Sequence, residues 1–519
     1  MNRNYSSSLL LALAMHATAA VPLPTDPYDY DPSFDGGVML EDRFAAITTQ
    51  NYQIASKLAR LSNGDLVVAG IVPAAFQPAG ANSNNVGLVR YGSDGSRVPW
   101  PSPTPTYSYF NNMYVDYPNS NAHTFSAVRD IAVIAGFIYV LMDAPAAVND
   151  SDVYVLAFRE DGSFIDIYGA FTTSLDEGAA GLVAYSIPNC NGVLSCPMLI
   201  AIGNYIVPAP SLSDYRHIIT AKRFAIGTNG FPTFTPNGTL HVDTTFGPFG
   251  NGANDYIAAD SSCVSASNCS VIATSVAAVR TNTPNPTVYV GGQYPSTGQL
   301  SDTVALAIDG NSGALFSDFG DGGFQPTPFN LAQNFPADAA VAIVATTGGG
   351  RAADEVYVVA KVSLDCAAGV GVAKLRGVNG TPDAAFGVAG KTVFGGNNDA
   401  FCQAPPIVTT NPFAAVLDGD RLAIVGEQGL YDEPNNSVTF DPSLALVRAT
   451  DGWVSEQRWR RPTQSSGTPW GANSRWVSVI ADGNGRFTTA GYVLDPNTSS
   501  TLFGTMRLST DRIFGSGFE

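Results

Sequence analysis

Apolar residues along this chain come in short blocks separated by turn residues. One set of blocks includes GDLVVAGIV from Gly64, GFIYVLMDA from Gly136, PMLIAIGNYIV from Pro197 and TVYVGGQY from Thr287; EVYVVAKV, DRLAIVGEQ and GRFTTAGYV follow from Glu355, Asp420 and Gly485. A second set follows the first, and most of its members end on a basic residue and a turn: VGLVRYGSDGS from Val86, VYVLAFREDGS from Val153, IITAKRFAIGTNG from Ile218. Blocks of this length, rich in β-branched and aromatic residues and bounded by Gly, Asn and Asp, predict strands. Their unbroken apolar character predicts strands packed on both faces. Asp94-Gly95, Asp161-Gly162, Asn379-Gly380 and Asp451-Gly452 supply the positive φ that tight hairpin turns require.

Seven mid-strand positions correspond across the second set: Leu88, Leu156, Ala221, Leu306, Ala373, Leu446 and Met506. A spacing of 60 (446 to 506) to 85 residues (221 to 306), with several strands per unit, is that of propeller blades rather than of short solenoid repeats. The expected fold is all-β: a single seven-bladed β-propeller of mostly four-stranded blades. Its approximate units are 41–100, 119–170, 176–250, 260–324, 337–394, 411–461 and 473–519. The segment PSFDGGVML at 32–40 matches the tail DFGDGGF at Asp318 without its head, and the last unit stops soon after its second strand. The N-terminal segment is therefore expected to join the last blade and close the ring.

The phrases DTTFG (Asp243 to Gly247), DAAFG (Asp383 to Gly387) and SDFGDGG, each after a glycine turn and the first two also after a basic residue, resemble the delta-60 repeat of secreted bacterial β-propeller-like proteins. The resemblance spans nearly the whole chain after its first twenty residues. The units around Gly95, Gly162 and Gly452 lack the Phe-Gly element. The final DRIFGSGFE is similar to short tails on some exported proteobacterial proteins. The resemblance implies the fold and export, and carries no catalytic residues with it.

The two ends and the charge agree with export. Residues 1–20, MNRNYSSSLLLALAMHATAA, combine Arg3, an apolar run from Leu9 to Met15 and a small-residue exit, the layout of a signal peptide. Residues 21–519 are then the propeller, expected outside the cytoplasm, secreted or periplasmic, and monomeric. The formal net charge of −18 argues against nucleic acid and anionic membranes as partners. Six cysteines suit an oxidising compartment: Cys190 with Cys196, Cys263 with Cys269 and Cys366 with Cys402 are the pairings that spacing makes simplest.

Chemistry-bearing residues are sparse. His123, His217 and His241 are read as lying in different units, without metal-ligand spacing, and no nucleophile elbow or phosphate loop is present. No cofactor is implied. Calcium is the one ion that the acidic turns suit, but Asp26, Asp29, Asp31 and Asp35 lack the ordered calcium loop, and Asp309, Asp318 and Asp321 recur as turn residues. Two stretches depart from the repeat. Residues 100–118 read as a Pro- and Tyr-rich loop presenting Tyr107 and Tyr109. Residues 453–476 hold four tryptophans and four arginines. Aromatic faces stack on sugar rings and guanidinium forks hold carboxylates, so Trp459, Arg461, Trp470 and Trp476 are candidate ligand contacts. The expected function is non-enzymatic recognition or scaffolding, with an acidic glycan or a protein as partner. The competing expectation is a hydrolase or lyase with its active site at the mouth of the central channel.

Overall fold

The computed structural model describes residues 31–42 (without 32 and 36–38), 53–73, 84–101, 108–115 (without 110–111), 126–227 (without 148–149, 174–175, 191–192 and 209–214), 237–256 (without 248–251), 271–294 (without 280–285), 301–395 (without 330, 332–336, 348–349 and 365–366), 408–459 (without 433–436) and 471–509 (without 496–499). The strands form seven antiparallel sheets, five of four strands and two of five. Their innermost strands lie side by side in a closed ring: Ile54–Arg60, Ala127–Ile134, Glu177–Cys190, Ile272–Val279, Ala339–Thr346, Val408–Asp418 and Gly471–Gly483, the last meeting the first again. The protein is a seven-bladed β-propeller, and blades 1 to 7 are numbered here in that order.

Blade 7 is built from both ends of the chain. Its outermost strand is Leu40–Asp42, with Leu40 opposite Thr505 and Asp42 opposite Phe503. The expected N-terminal closure is present. One boundary differs from the sequence reading: the Tyr-rich stretch after Trp100 is not wholly loop. Asn112–Val115 pairs with Asn84–Tyr91 as the fourth strand of blade 1, and Ser108–Tyr109 adds a fifth. Tyrosine and valine suit a pleated, half-covered edge as well as they suit a loop. His217 and His241 share blade 3 rather than lying in different units. His217 is opposite Ile206 and His241 opposite Ala225, near opposite ends of one strand.

The core lies between blades. Among the described residues there are seven buried apolar clusters and each occupies one joint: Val67 and Val140 share the cluster between blades 1 and 2, Tyr185 and Val288 that between 3 and 4, Val425 and Trp476 that between 6 and 7, Val68 and Phe503 that between 7 and 1. The middle strands therefore bury both faces; Asp302–Asp309 has only its last residue partly open.

The recurring phrase makes the joints. In blade 3, Asp243 accepts hydrogen bonds from Thr245 and an ion pair from Arg223, 2.8 Å away. The Arg223 guanidinium lies 4.9 Å from the Phe246 ring and donates to the Gly310 carbonyl of blade 4. Phe246 covers Gly313 of that blade, whose φ is 77°; a β-carbon there would lie 2.9 Å from the ring. The next amide, Gly247 N–H, donates to Ser312 O at 3.0 Å. The same backbone bond recurs from Asp35 to Asp94, Gly320 to Asn379 and Gly387 to Asp451. Where the phrase is missing, substitutes appear. Trp100 covers Gly162, Tyr139 donates to Gly238 O, and Gly485 N–H donates to Asp418.

At the closing joint the N-terminal segment supplies the phrase. Phe34 is 1% exposed beneath Arg507, and it covers Gly95 of blade 1. Burial pushes the Asp31 carboxyl up, but hydrogen bonds from Ser33 and the charges of Arg486 and Arg507 outweigh it and hold it below the ordinary carboxylate value of 3.8. A carboxylate held low contributes stability above its unfolded pKa and loses it as pH falls through the folded value.

Phe34→Ala is expected to destabilise the ring by about 3 kcal/mol, read by chemical denaturation, because it empties a packed joint. Below pH 3.8 the wild type is expected to lose stability more steeply than Asp31→Asn, which has no carboxyl to protonate; parallel thermal melts across pH check this.

Candidate functional site on the loop face

Strand order divides the molecule into two ends. The connections from first to second and from third to fourth strands meet at one end, where the latches described above tie the blades together. The starts of the first and third strands and the ends of the second and fourth lie at the opposite end, the loop face.

The expected contacts fall differently on this frame. Trp459 ends the outermost strand of blade 6, Val454–Trp459, opposite Ser443. Its side chain, like those of Arg461, Trp470, Tyr107 and Tyr109, lies outside those described. Residues 460–470 lie outside the described residues. Trp476 is a correction. It sits on the innermost strand of blade 7 and is 0% exposed among Val425, Leu444 and Phe487, so it offers no face to a ligand. Parity carried the signal: Ser474, Trp476 and Ser478 are all buried, the period-2 pattern of a strand. Trp453 is 65% exposed but belongs to the turn face.

One residue before Trp476, the strand turns Arg475 the other way. Its side chain retains 30% exposure, and its Nε lies 3.1 Å from the Glu427 carboxylate of blade 6. The guanidinium lies 5.4 Å from the Phe413 ring and 5.0 Å from the Tyr492 ring. Asn411 donates to the other Glu427 oxygen at 2.9 Å. Burial pushes the Tyr492 hydroxyl up, against the nearby Arg475 charge. An arginine held along one edge and flanked by rings has a fixed orientation.

The acidic turns resolve into structure. Asp31 serves the ring closure, Asp309 caps its own turn through Asn311 and Ser312, and Asp318 pairs with Arg351; Asp26 and Asp29 lie outside the described residues. Among the described residues, one carboxylate group has metal-ligand spacing: Asp150 and Asp152 at the start of the third strand of blade 2, and Glu177 at the start of blade 3. Of the cysteines, Cys196 is buried and disulfide-bonded. The hairpin register sets it opposite Ile187, and Cys190 opposite Val193, so those two are not directly opposed. The other cysteine side chains lie outside those described.

No family model matches the chain, and no curated protein matches it. Among solved structures, a Synechocystis apocarotenoid oxygenase mutant is similar at 10% identity and TM-score 0.35, over 63% of this chain and 60% of that one, less than two thirds of its length. A polysaccharide lyase of family PL25, an ulvan lyase, is similar at 10% identity and TM-score 0.35, over 73% of this chain and 83% of that one. The α-L-arabinofuranosidase Arb93A from Fusarium graminearum is similar at 9% identity and TM-score 0.37, over 74% and 94%. At these values no substrate or activity passes from them to this chain.

Trp476→Ala is expected to lower stability by about 3 kcal/mol, the cost of an emptied core site. Trp476→Phe is expected to cost less, since the indole nitrogen has no hydrogen-bond partner to lose. Thermal melts of both variants check the order.

Proposed function

We propose that this protein is an exported, non-enzymatic recognition propeller that binds a carboxylate-bearing polymer, an acidic glycan, on its loop face at the joint of blades 6 and 7. The observation that carries the reading is Arg475, partly open, flanked by Phe413 and Tyr492 and held at its Nε edge by Glu427. A partly open guanidinium suits a carboxylate, and neighbouring rings suit sugar faces. The connection carrying Arg461 and Trp470 leads directly into this strand. The leader-like first twenty residues and the cysteine content support export, and blade-to-blade latching supports a rigid frame for displayed loops.

Isothermal titration of residues 21–519 with polygalacturonate oligomers and their neutral reduced counterparts tests the reading. Binding of the acidic oligomers is expected, weakened about tenfold (about 1.4 kcal/mol) by Arg475→Lys, which keeps the charge and loses the fork, and also weakened by Trp470→Ala. Equal binding of neutral oligomers, or no binding of acidic ones, rejects it. Shortening of the oligomers during incubation favours the hydrolase or lyase reading.

A further inference from the structure

We propose that Asp150, Asp152 and Glu177 form a divalent-cation site, of calcium type, that pins blade 2 to blade 3 on the loop face. Asp150 and Asp152 are two apart on the strand Asp150–Arg159, so their side chains leave the same face. Glu177 opens the innermost strand of the next blade. One carboxylate oxygen from each can be chosen so that all lie within 4.8 Å of one another.

The surrounding hydrogen bonds hold these groups without satisfying them. Thr173 donates its backbone N–H, 3.0 Å away, and its hydroxyl to Glu177 Oε1. Tyr154 donates its hydroxyl to Asp152 Oδ2 at 2.8 Å. That leaves Glu177 Oε2, on a residue 3% exposed, and Asp150 Oδ1 buried with no hydrogen-bond partner. The three carboxylates face one another across the joint of blades 2 and 3. Buried carboxylate oxygens without a donor or a countercharge are costly, and a bound cation removes the cost for all three groups together. An all-oxygen donor set selects a hard cation over zinc or copper, and calcium accepts the irregular geometry of two strand ends, completed by water.

The test uses the full chain after chelation, with calcium, magnesium and terbium as probes. Calcium is expected to raise the melting temperature above that in EDTA. Terbium bound beside Tyr154 is expected to luminesce on tyrosine excitation and to be displaced by calcium. Asp152→Asn and Asp150→Asn are expected to lower calcium affinity by about tenfold or more, as losing a charged ligand does. Glu177→Gln is expected to abolish the calcium shift while melting in EDTA at or above the wild type, because it removes an uncompensated charge. That last result separates a cation site from a merely structural cluster. No response to calcium or magnesium overturns the proposal, as does a calcium shift or terbium signal that survives in Asp150→Asn and Glu177→Gln alike.

Discussion

Every blade depends on a neighbour. A single sheet here has two apolar faces and its own hairpins can cover neither, so the stable unit is the joint. Each joint combines an apolar cluster between sheets with a fixed point at the turn face. At joint 3/4 that point is a ring on a glycine, an amide on a carbonyl, and a buried arginine reaching from one blade to the turn of the next. Arg223 is 3% exposed beside Asp243, a pair too well surrounded by backbone acceptors to be exchanged for either residue alone. The glycine is required because its φ is positive and because the ring occupies the space a side chain would need.

With one end so tied, the other is free to vary. The Arg475 cluster and the three carboxylates of blades 2 and 3 lie at the loop end, opposite the latches. The two sites sit at joints, where strands from neighbouring blades bring together side chains far apart in sequence. Joints therefore serve stability at one end and chemistry at the other.

The fold was legible because it is written repeatedly: apolar pairs of strands, Asx-Gly turns and the Phe-Gly phrase recur with the period of a blade. Even the closing strand could be read, since its phrase is an orphan half. The site was less legible. Trp476 was grouped with exposed tryptophans by proximity, although it stands inside the last repeat unit at a core parity. Asp150, Asp152 and Glu177 carried no motif, because their meeting depends on the angle between two sheets. The outer strands of blade 1 were read as loop because an edge strand is stabilised by the chain it joins, and its own letters are ambiguous.

The closing strand has a kinetic meaning. Most contacts form within a blade or between successive blades, but Gln53 and Thr501 bond across 448 residues, and Leu40–Asp42 pairs with Thr501–Ser509. Folding with so high a contact order at one joint leaves that joint among the last to form. Until it does, the partly folded chain exposes an unpaired strand edge and two uncovered sheet faces, the features that template association. A second copy carries the same N-terminal strand. At high concentration the strand that completes one ring is thus equally able to complete its neighbour's, and exchange of Leu40–Asp42 between copies becomes the natural route from refolding to domain-swapped oligomers.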